Sequence, residues 1–490
     1  MKIKSILLIG FFVFLIISCS SDLKDRTSQE ILSSYLNNNS EAIIFGRIDA
    51  KSILEKADYK SIPKVNVLLI EEMRQYESAL ELAQGVHFAL EGSIDQNSST
   101  GIALAFVKVK NADTLANKVT SLGYMMKDEG GMKFFQENEV AIGVKDQVAI
   151  FLTKSGKFDG LAALKKAFKK CEDEASTGKI EEILNQKGDV LLGFNFENLY
   201  QSTSKMLEGL SKDKVKEIKA LMADSYSYGT ISFENGEAKI YGKNLFSNEL
   251  MNRMIMKSDQ SAPILKKLGF GKARFGFAFN MDMLKYDHFV NDFYPKLKSE
   301  LTKINFQIQM ALASLGENPF SALLNGQLGI VMIGDAISDG SFVPEFNFHV
   351  GLGNKGKIIS EMLGAFTSTQ TKNADGTFVM NNMAIKINEK EITAFVLKNK
   401  SLGSLVLPNF AKDFGKKGVS GFMDFDGLDL KSLDLEEGAK AIYALKNIYF
   451  EGDNLEYKMI ITAKKSNQNI LKQIADVYLE DIKNKIGMLN

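Results

Sequence analysis

The chain has no tryptophan, two cysteines, three histidines and six prolines in 490 residues, and its charges cancel. Each scarcity argues against a class of function. Carbohydrate platforms are often built on indole rings, so the missing tryptophan disfavours glycan capture. Sixty basic residues against sixty acidic ones provide no cationic field for a phosphate backbone, which argues against nucleic acid as a partner. The histidines, His87, His288 and His349, form no H-x-x-x-H or H-x-H pair of the kind zinc hydrolases use. No G-x-S-x-G elbow occurs, and Ser420 lies in G-V-S-G, which lacks that spacing. The apolar run over residues 6–17 (ILLIGFFVFLII) is short of the roughly 20 residues that a spanning helix needs.

That run follows Lys2 and Lys4 and ends in Ser18-Cys19-Ser20-Ser21, the pattern of a bacterial lipoprotein signal. The lysines supply the positive region, the run supplies the apolar region, and Ile-Ile-Ser-Cys suits lipoprotein signal peptidase. The expectation is a leader over residues 1–18 and a mature chain that begins at Cys19. Palmitate-type acyl chains on that thiol would bury dozens of methylenes at about 0.8 kcal/mol each, an effectively permanent anchor. Ser20 stands where some lipoproteins carry an inner-membrane retention aspartate, so the expected destination is the outer membrane. The weakly acidic Ser21-Asp22-Leu23-Lys24-Asp25 leaves the membrane face open. With Cys19 acylated, Cys171 has no partner for an intramolecular disulfide. The body must then depend on its core, for which 34 Phe, 20 Met and 45% hydrophobic residues give ample material.

Residues 19–40 are polar, end in Asn37-Asn38-Asn39, and read as a tether with a short helix over residues 30–36. Beyond them an apolar strand runs four times into Asp or Asn and then a helix: residues 42–49 (AIIFGRID), 190–195 (VLLGFN), 275–280 (FGFAFN) and 420–426 (SGFMDFD). Asp49, Asn195, Asn280 and Asp426 are the expected helix caps. A second element, an alternating strand followed by an amphipathic helix, begins at Ala103, Ala238, Phe346 and Tyr457. Similar segments recur in the same order about half a chain apart, as NEVAIGVKDQVAIFLTK and NNMAIKINEKEITAFVLK do. The reading is an internal duplication with halves at residues 41–257 and 271–490. Turn signals such as Lys145-Asp146, Asn235-Gly236 and Asp375-Gly376 imply antiparallel hairpins. The expected class is therefore α+β: two duplicated halves, each a mostly antiparallel β-sheet with helices packed on one face. Phe106, Lys108 and Lys110 alternate with Val107 and Val109, as in a sheet wet on one side. Long helices are expected over residues 199–222 and 283–315.

The lipobox, the polar segment after it, the opening A-I-I-F-G-R-I-D-A-K-S-I-L and the length of the body together resemble uncharacterised Bacteroides-type lipoproteins, a family defined by a domain of unknown function. The resemblance implies an envelope location and this architecture over most of residues 40–490. It carries no activity and no site residues.

Two motifs invite chemistry. Residues 351–356 (GLGNKG) spell G-x-G-x-x-G after a strand and before a helix, with Asp375 about twenty residues on. Its strand alternates polar and apolar residues, and the matching place in the first half, residues 108–113, has no glycine, so a glycine-rich turn is the expected reading. Asp424, Asp426 and Asp429, with Asp434 nearby, are weak candidates for a metal site, but Phe425 and Leu428 interrupt them where an EF-hand needs polar residues. No metal, cofactor or catalytic residue is expected, and Cys171 in the charged KKAFKKCEDE reads as part of a solvated helix face. The expected protein is a non-enzymatic lipoprotein of the cell envelope that binds or scaffolds another envelope component. Its membrane partner is reached through lipid on Cys19. The alternatives are a carrier or sensor with an apolar cavity between sheet and helices, in which residues such as Met251, Met254 and Met256 could take part, and a hydrolase with an unrecognised site.

Overall fold

The computed structural model describes residues 23–37, 41–61, 78–92, 101–121, 125–202, 210–257, 262–293, 315–334, 337–338, 341–342, 345–366, 373, 377–380, 382–397, 403–432 and 435–487. The chain divides into two compact units. Unit 1 takes residues up to 208 together with 222–234, and unit 2 takes residues 209–221 and 235 onward.

Unit 1 contains α1 (Ser28–Asn37), β1 (Ala42–Ile48), α2 (Ala50–Lys56), β2 (Val86–Glu91), β3 (Ile102–Lys108), α3 (Ala112–Ser121) and β4 (Lys127–Glu129). It continues through β5 (Met132–Glu137), β6 (Val140–Lys145), β7 (Val148–Lys154), α4 (Gly160–Cys171), α5 (Lys179–Leu184), β8 (Val190–Asn195), α6 (Phe196–Ser202) and β9 (Tyr226–Glu234). The strands pair antiparallel throughout, in the order β4-β5-β6-β7-β3-β2-β1-β8-β9.

Helices cover both faces of this sheet, a correction to the one-faced layer. Val107 and Val109 pack with Leu115 and Val119 of α3 on one side. On the other, the Phe106 ring meets Tyr35 of α1 at 4.9 Å, and Gly143 approaches Leu164 and Phe168 of α4. Lys108, expected at a wet surface, is buried. Its ammonium donates to the carbonyls of Leu23 and Lys24 at 3.0 and 2.7 Å. The lysine therefore sits under the amino-terminal segment, a placement that strand periodicity alone does not reveal.

That segment is fold, not tether, from Leu23 onward. Thr27 and Glu30 close a reciprocal capping box at the start of α1, with Thr27 N donating to the Glu30 carboxylate at 2.7 Å and Glu30 N to Thr27 Oγ1 at 3.2 Å. Leu23, Ile31 and Leu32 are fully buried. The Arg26 guanidinium donates to the carbonyls of Cys171, Glu172 and Asp173 at the end of α4. The helix is longer than expected and is stabilised by its buried face.

Unit 2 contains α7 (Lys212–Met222, its last residue counted with unit 1), β10 (Glu237–Leu245), α8 (Asn248–Arg253), α9 (Ala262–Lys267), β11 (Gly271–Asn280) and α10 (Met283–Phe293). Then come α11 (Pro319–Leu323), β12 (Leu324–Ile333), β13 (Ile337–Ser338), β14 (Ser341–Phe342), β15 (Glu345–Leu352), α12 (Lys357–Phe366), β16 (Thr377–Met380), β17 (Met383–Ile387) and β18 (Glu391–Val396). The unit ends with β19 (Leu405–Val406), β20 (Val419–Asp424), β21 (Leu445–Gly452), β22 (Glu456–Ala463) and α13 (Ile470–Gly487). Its main sheet is antiparallel in the order β10-β22-β21-β20-β11-β12-β15-β18-β17-β16. The short β19 lies parallel to the start of β11. The core gathers Ile264 and Leu268 around α9 with Val331, Phe414 and Phe422.

The strand-to-helix caps follow the sequence in part. Asp49 accepts from Ser52 N at 2.9 Å and Asn195 from Asn198 N at 3.1 Å. Asn280 is buried inside β11, and Asp282 caps α10 in its place by accepting from Leu284 N and Lys285 N. The helix expected over residues 199–222 is broken: α6 stops at Ser202, and Ser211 caps the start of α7 through Lys214 N at 3.2 Å. Of the helix expected over 283–315, α10 accounts for Met283–Phe293 and residues 294–314 lie outside the described residues.

Candidate functional site

The G-x-G-x-x-G run ends β15 and turns into α12. Its amides are already in use. Gly353 N donates to Leu323 O, Lys355 N to Ala322 O, and Gly356 N to Gly353 O. A Cβ at Gly351 would fall 2.1 Å from the Asn325 side chain and one at Gly353 2.5 Å from backbone oxygens. The glycines therefore permit close packing, and these three amides do not point at an open phosphate cradle.

The acidic run beside β20 is built around an arginine. Arg274 Nη1 lies 3.1 Å from Asp424 Oδ2, with both side chains about nine-tenths buried, and donates to Asp426 O at 2.7 Å. Asp426 also meets Lys446 at 3.4 Å. The guanidinium takes the position and charge that a cation would, so Asp424 and Asp426 hold a strand end together. Asp429 contributes its carbonyl to Ser432. Asp434 lies outside the described residues. Among the described residues no group of three or more His, Cys, Asp or Glu side chains is arranged to hold a metal.

The histidines are dispersed over different elements. His87 is buried in β2, and burial, with Arg47 next, pushes its imidazole down to about 3. His288 lines a hollow of about 340 Å³ beside Arg253 and Asp292. Asp292 there is paired with Arg253 at 2.9 Å and Lys214 at 2.8 Å. Cys171 is fully buried at the end of α4, not on a solvated face, and burial pushes its thiol well above the ordinary range. A buried thiol of that kind is inert.

Two larger hollows lie among the described residues. The one in unit 1, about 570 Å³, is lined by Lys179, Asn195, Asn198 and Asp224 among others. These groups serve the fold: Lys179 pairs with Asp224 at 2.8 Å, and Asn198 donates to Ala42 O at 2.9 Å. The hollow in unit 2, about 510 Å³, is different in kind. Its apolar walls are Leu265, Phe270, Phe395, Leu405 and Leu407, and its polar groups are Lys266, Lys267, Lys386, Glu391, Thr393 and Ser404. Three lysines and one glutamate line it. Glu391 pairs with Lys267 at 2.8 Å and lies 3.9 Å from Lys386, and the hydrogen bond from Lys267 holds its carboxyl below the usual range.

Local sequence sets this cleft. Gly269 turns the chain between α9 and β11 at φ +73°, where a Cβ would fall 2.6 Å from Phe395 Cβ. Phe270 meets Phe395 edge-on at 5.4 Å. The wholly buried Asn347 joins the two walls, donating to Leu268 O and Phe270 O at 2.8 and 3.0 Å and accepting from Val396 N at 2.8 Å. His349, two residues on and on the same face of β15, is fully buried, and neither ring nitrogen has a hydrogen-bond partner among the described residues. Its cross-strand neighbours are Thr393, which lines the cleft, and Gly329, whose missing Cβ faces Ile264 of α9. Directly opposed residues share a face, so His349 lies on the cleft's side of β15, but it is fully buried and does not line the hollow. Burial, then Lys267, pushes its imidazole down to about 4 against the opposing pull of Glu391. The alternation Phe346-Asn347-Phe348-His349-Val350 is visible in the sequence, but its polar face is turned inward beneath α9 instead of toward water. Asn347, Lys267, Lys386 and Glu391 carry no sequence signal that would single them out.

No family model matches the chain, and no curated protein matches it. Among solved structures, three crystal forms of one protein, TP0453, align with it. Form I covers 44% of this chain and 79% of that one at 9% identity and a TM-score of 0.27. Form IV covers 46% and 83% at 8% identity and 0.29, and form III 44% and 80% at 10% identity and 0.27. A likeness this low carries no argument about fold or function.

Proposed function

We propose that this protein is a non-enzymatic binding module of the bacterial cell envelope, tied to the outer membrane by lipid on Cys19, that recognises another envelope component. The anchoring rests on the Lys2/Lys4 leader and the Ile-Ile-Ser-Cys junction. The observation that carries the binding reading is the unit 2 cleft, where apolar walls and a few converging charges form a ligand surface. Anchoring would raise the effective concentration for a membrane-resident ligand without strong contacts. The same cleft favours the second reading, a carrier or sensor of an apolar ligand held between sheet and helix, over a pure scaffold. The test of anchoring is fractionation of cells that express Cys19→Ala. The variant is expected to leave the membrane pellet for the soluble fraction, and a variant that still pellets refutes the lipid anchor.

The internal duplication is part of the same proposal. Unit 1 runs β5-β6-β7-β3-β2-β1-β8-β9 and unit 2 runs β16-β17-β18-β15-β12-β11-β20-β21. Each strand occupies the same rank in both lists, and both series are all antiparallel. A helix follows β3 as one follows β15, and another precedes β1 as one precedes β11. The four strands first grouped by sequence, β1, β8, β11 and β20, form two neighbouring pairs at the same ranks, β1 with β8 and β11 with β20. Shared rank and shared sequence pattern support one ancestral unit copied in tandem. An experimental structure in which these strands failed to superpose would remove that support.

A further inference from the structure

We propose that the unit 2 cleft binds an amphiphile with one anionic headgroup, a carboxylate or phosphate carried on an apolar chain. The inference rests on the reading of the protein as a binding module and gives that module a ligand class. Two features converge on it. Among the described residues the cleft is lined by Lys266, Lys267 and Lys386 against Glu391, an excess of positive charge. Behind the charges stand Phe270 and Phe395, packed edge-on, which offer an apolar surface to a chain. The lysines can supply charge-assisted hydrogen bonds to an anionic oxygen. A volume of about 510 Å³ lies within the usual range for small-molecule sites.

The occupant is selected by charge as well as by greasiness. A cationic amphiphile would meet the lysines, and a sugar-headed one would leave them without a counter-charge. Glu391 does not reverse this, because Lys267 already pairs with it at 2.8 Å.

The test uses the full mature chain carrying Cys19→Ala, free of its own acyl groups, titrated calorimetrically with dodecanoate, dodecyl phosphate, dodecyltrimethylammonium and dodecyl maltoside below their micelle concentrations. Dodecanoate and dodecyl phosphate are expected to bind one to one and at least tenfold more tightly than the other two. The Lys267→Glu/Lys386→Glu double variant is expected to lose at least tenfold for the anionic probes. Lys390→Glu, a charge reversal outside the cleft lining, is expected to leave them unchanged, and circular dichroism checks that both variants are folded. Native mass spectrometry of protein purified from its host identifies the source, since a free fatty acid and an acidic phospholipid differ in mass and either supports the proposal. Headgroup-blind binding, no binding of the anionic probes, or binding indifferent to the double charge reversal overturns it. A failed titration beside an intact membrane anchor removes this ligand while leaving the envelope placement standing.

Discussion

His349 and His87 are buried imidazoles whose folded-state values lie near 4 and 3, below the ordinary 6.5. In the unfolded chain both bind protons below about pH 6.5, whereas in the fold they stay neutral until their depressed values are reached. The unfolded state therefore holds more protons through that window, and stability rises with pH from about 4 to about 6.5 and levels off above it. The Glu91 carboxyl, raised by burial, works the other way as pH climbs past its usual range. The expected outcome is a melting temperature that falls on acidification from pH 7 to pH 5, with a shallower fall in a His87→Gln/His349→Gln variant, measured by calorimetry. Arg274 gives a second prediction. Removing a guanidinium that pairs with a carboxylate nine-tenths buried leaves an uncompensated charge, so Arg274→Ala should cost about 2–4 kcal/mol in urea denaturation. Calcium should leave the melting temperature of the unaltered protein in place, because the arginine already occupies the centre of the acidic run. From sequence alone, Asp424, Asp426 and Asp429 suggested a cation, and it was supplied from β11, some 150 positions away along the chain.

At the scale of elements, local chemistry was legible and long-range cover was not. The Asp49 and Asn195 caps depend on three or four consecutive residues, and they formed where their side chains imply. The sheet type followed from hairpin turns, as at Lys145–Val148, where β6 and β7 close on each other. What lay beyond the sequence was which face of a strand another element would cover. Period-two alternation shows that two faces differ, but it does not say that the polar one meets water. Lys108 and Asn347 both sit on such polar faces, and both are buried under a segment contributed by a distant part of the chain. The candidate cleft was illegible for the same reason, since α9, β15, β18 and β19 meet there only through the topology. Asn347 is the tie between its walls. Asn347→Ala should remove three hydrogen bonds at a buried position and destabilise the fold by about 2–4 kcal/mol, read from chemical denaturation.

For the whole molecule, the amino-terminal segment has a consequence for where the body would stand. Leu23 is fully buried, with Lys108 and Arg26 fastening the residues around it. Four peptide steps separate Leu23 from Cys19, and a fully stretched chain of that length spans at most about 14 Å. An acylated thiol would then leave little slack, and unit 1 would rest against the headgroups. Ten Gly-Ser residues inserted between Ser20 and Ser21 should lift a fluorophore on unit 1 away from labelled headgroups, seen as reduced energy transfer, while the melting temperature stays the same. In that geometry the lipid would do more than retain the protein. It would work as a short mooring line that determines which side of the hull lies against the quay.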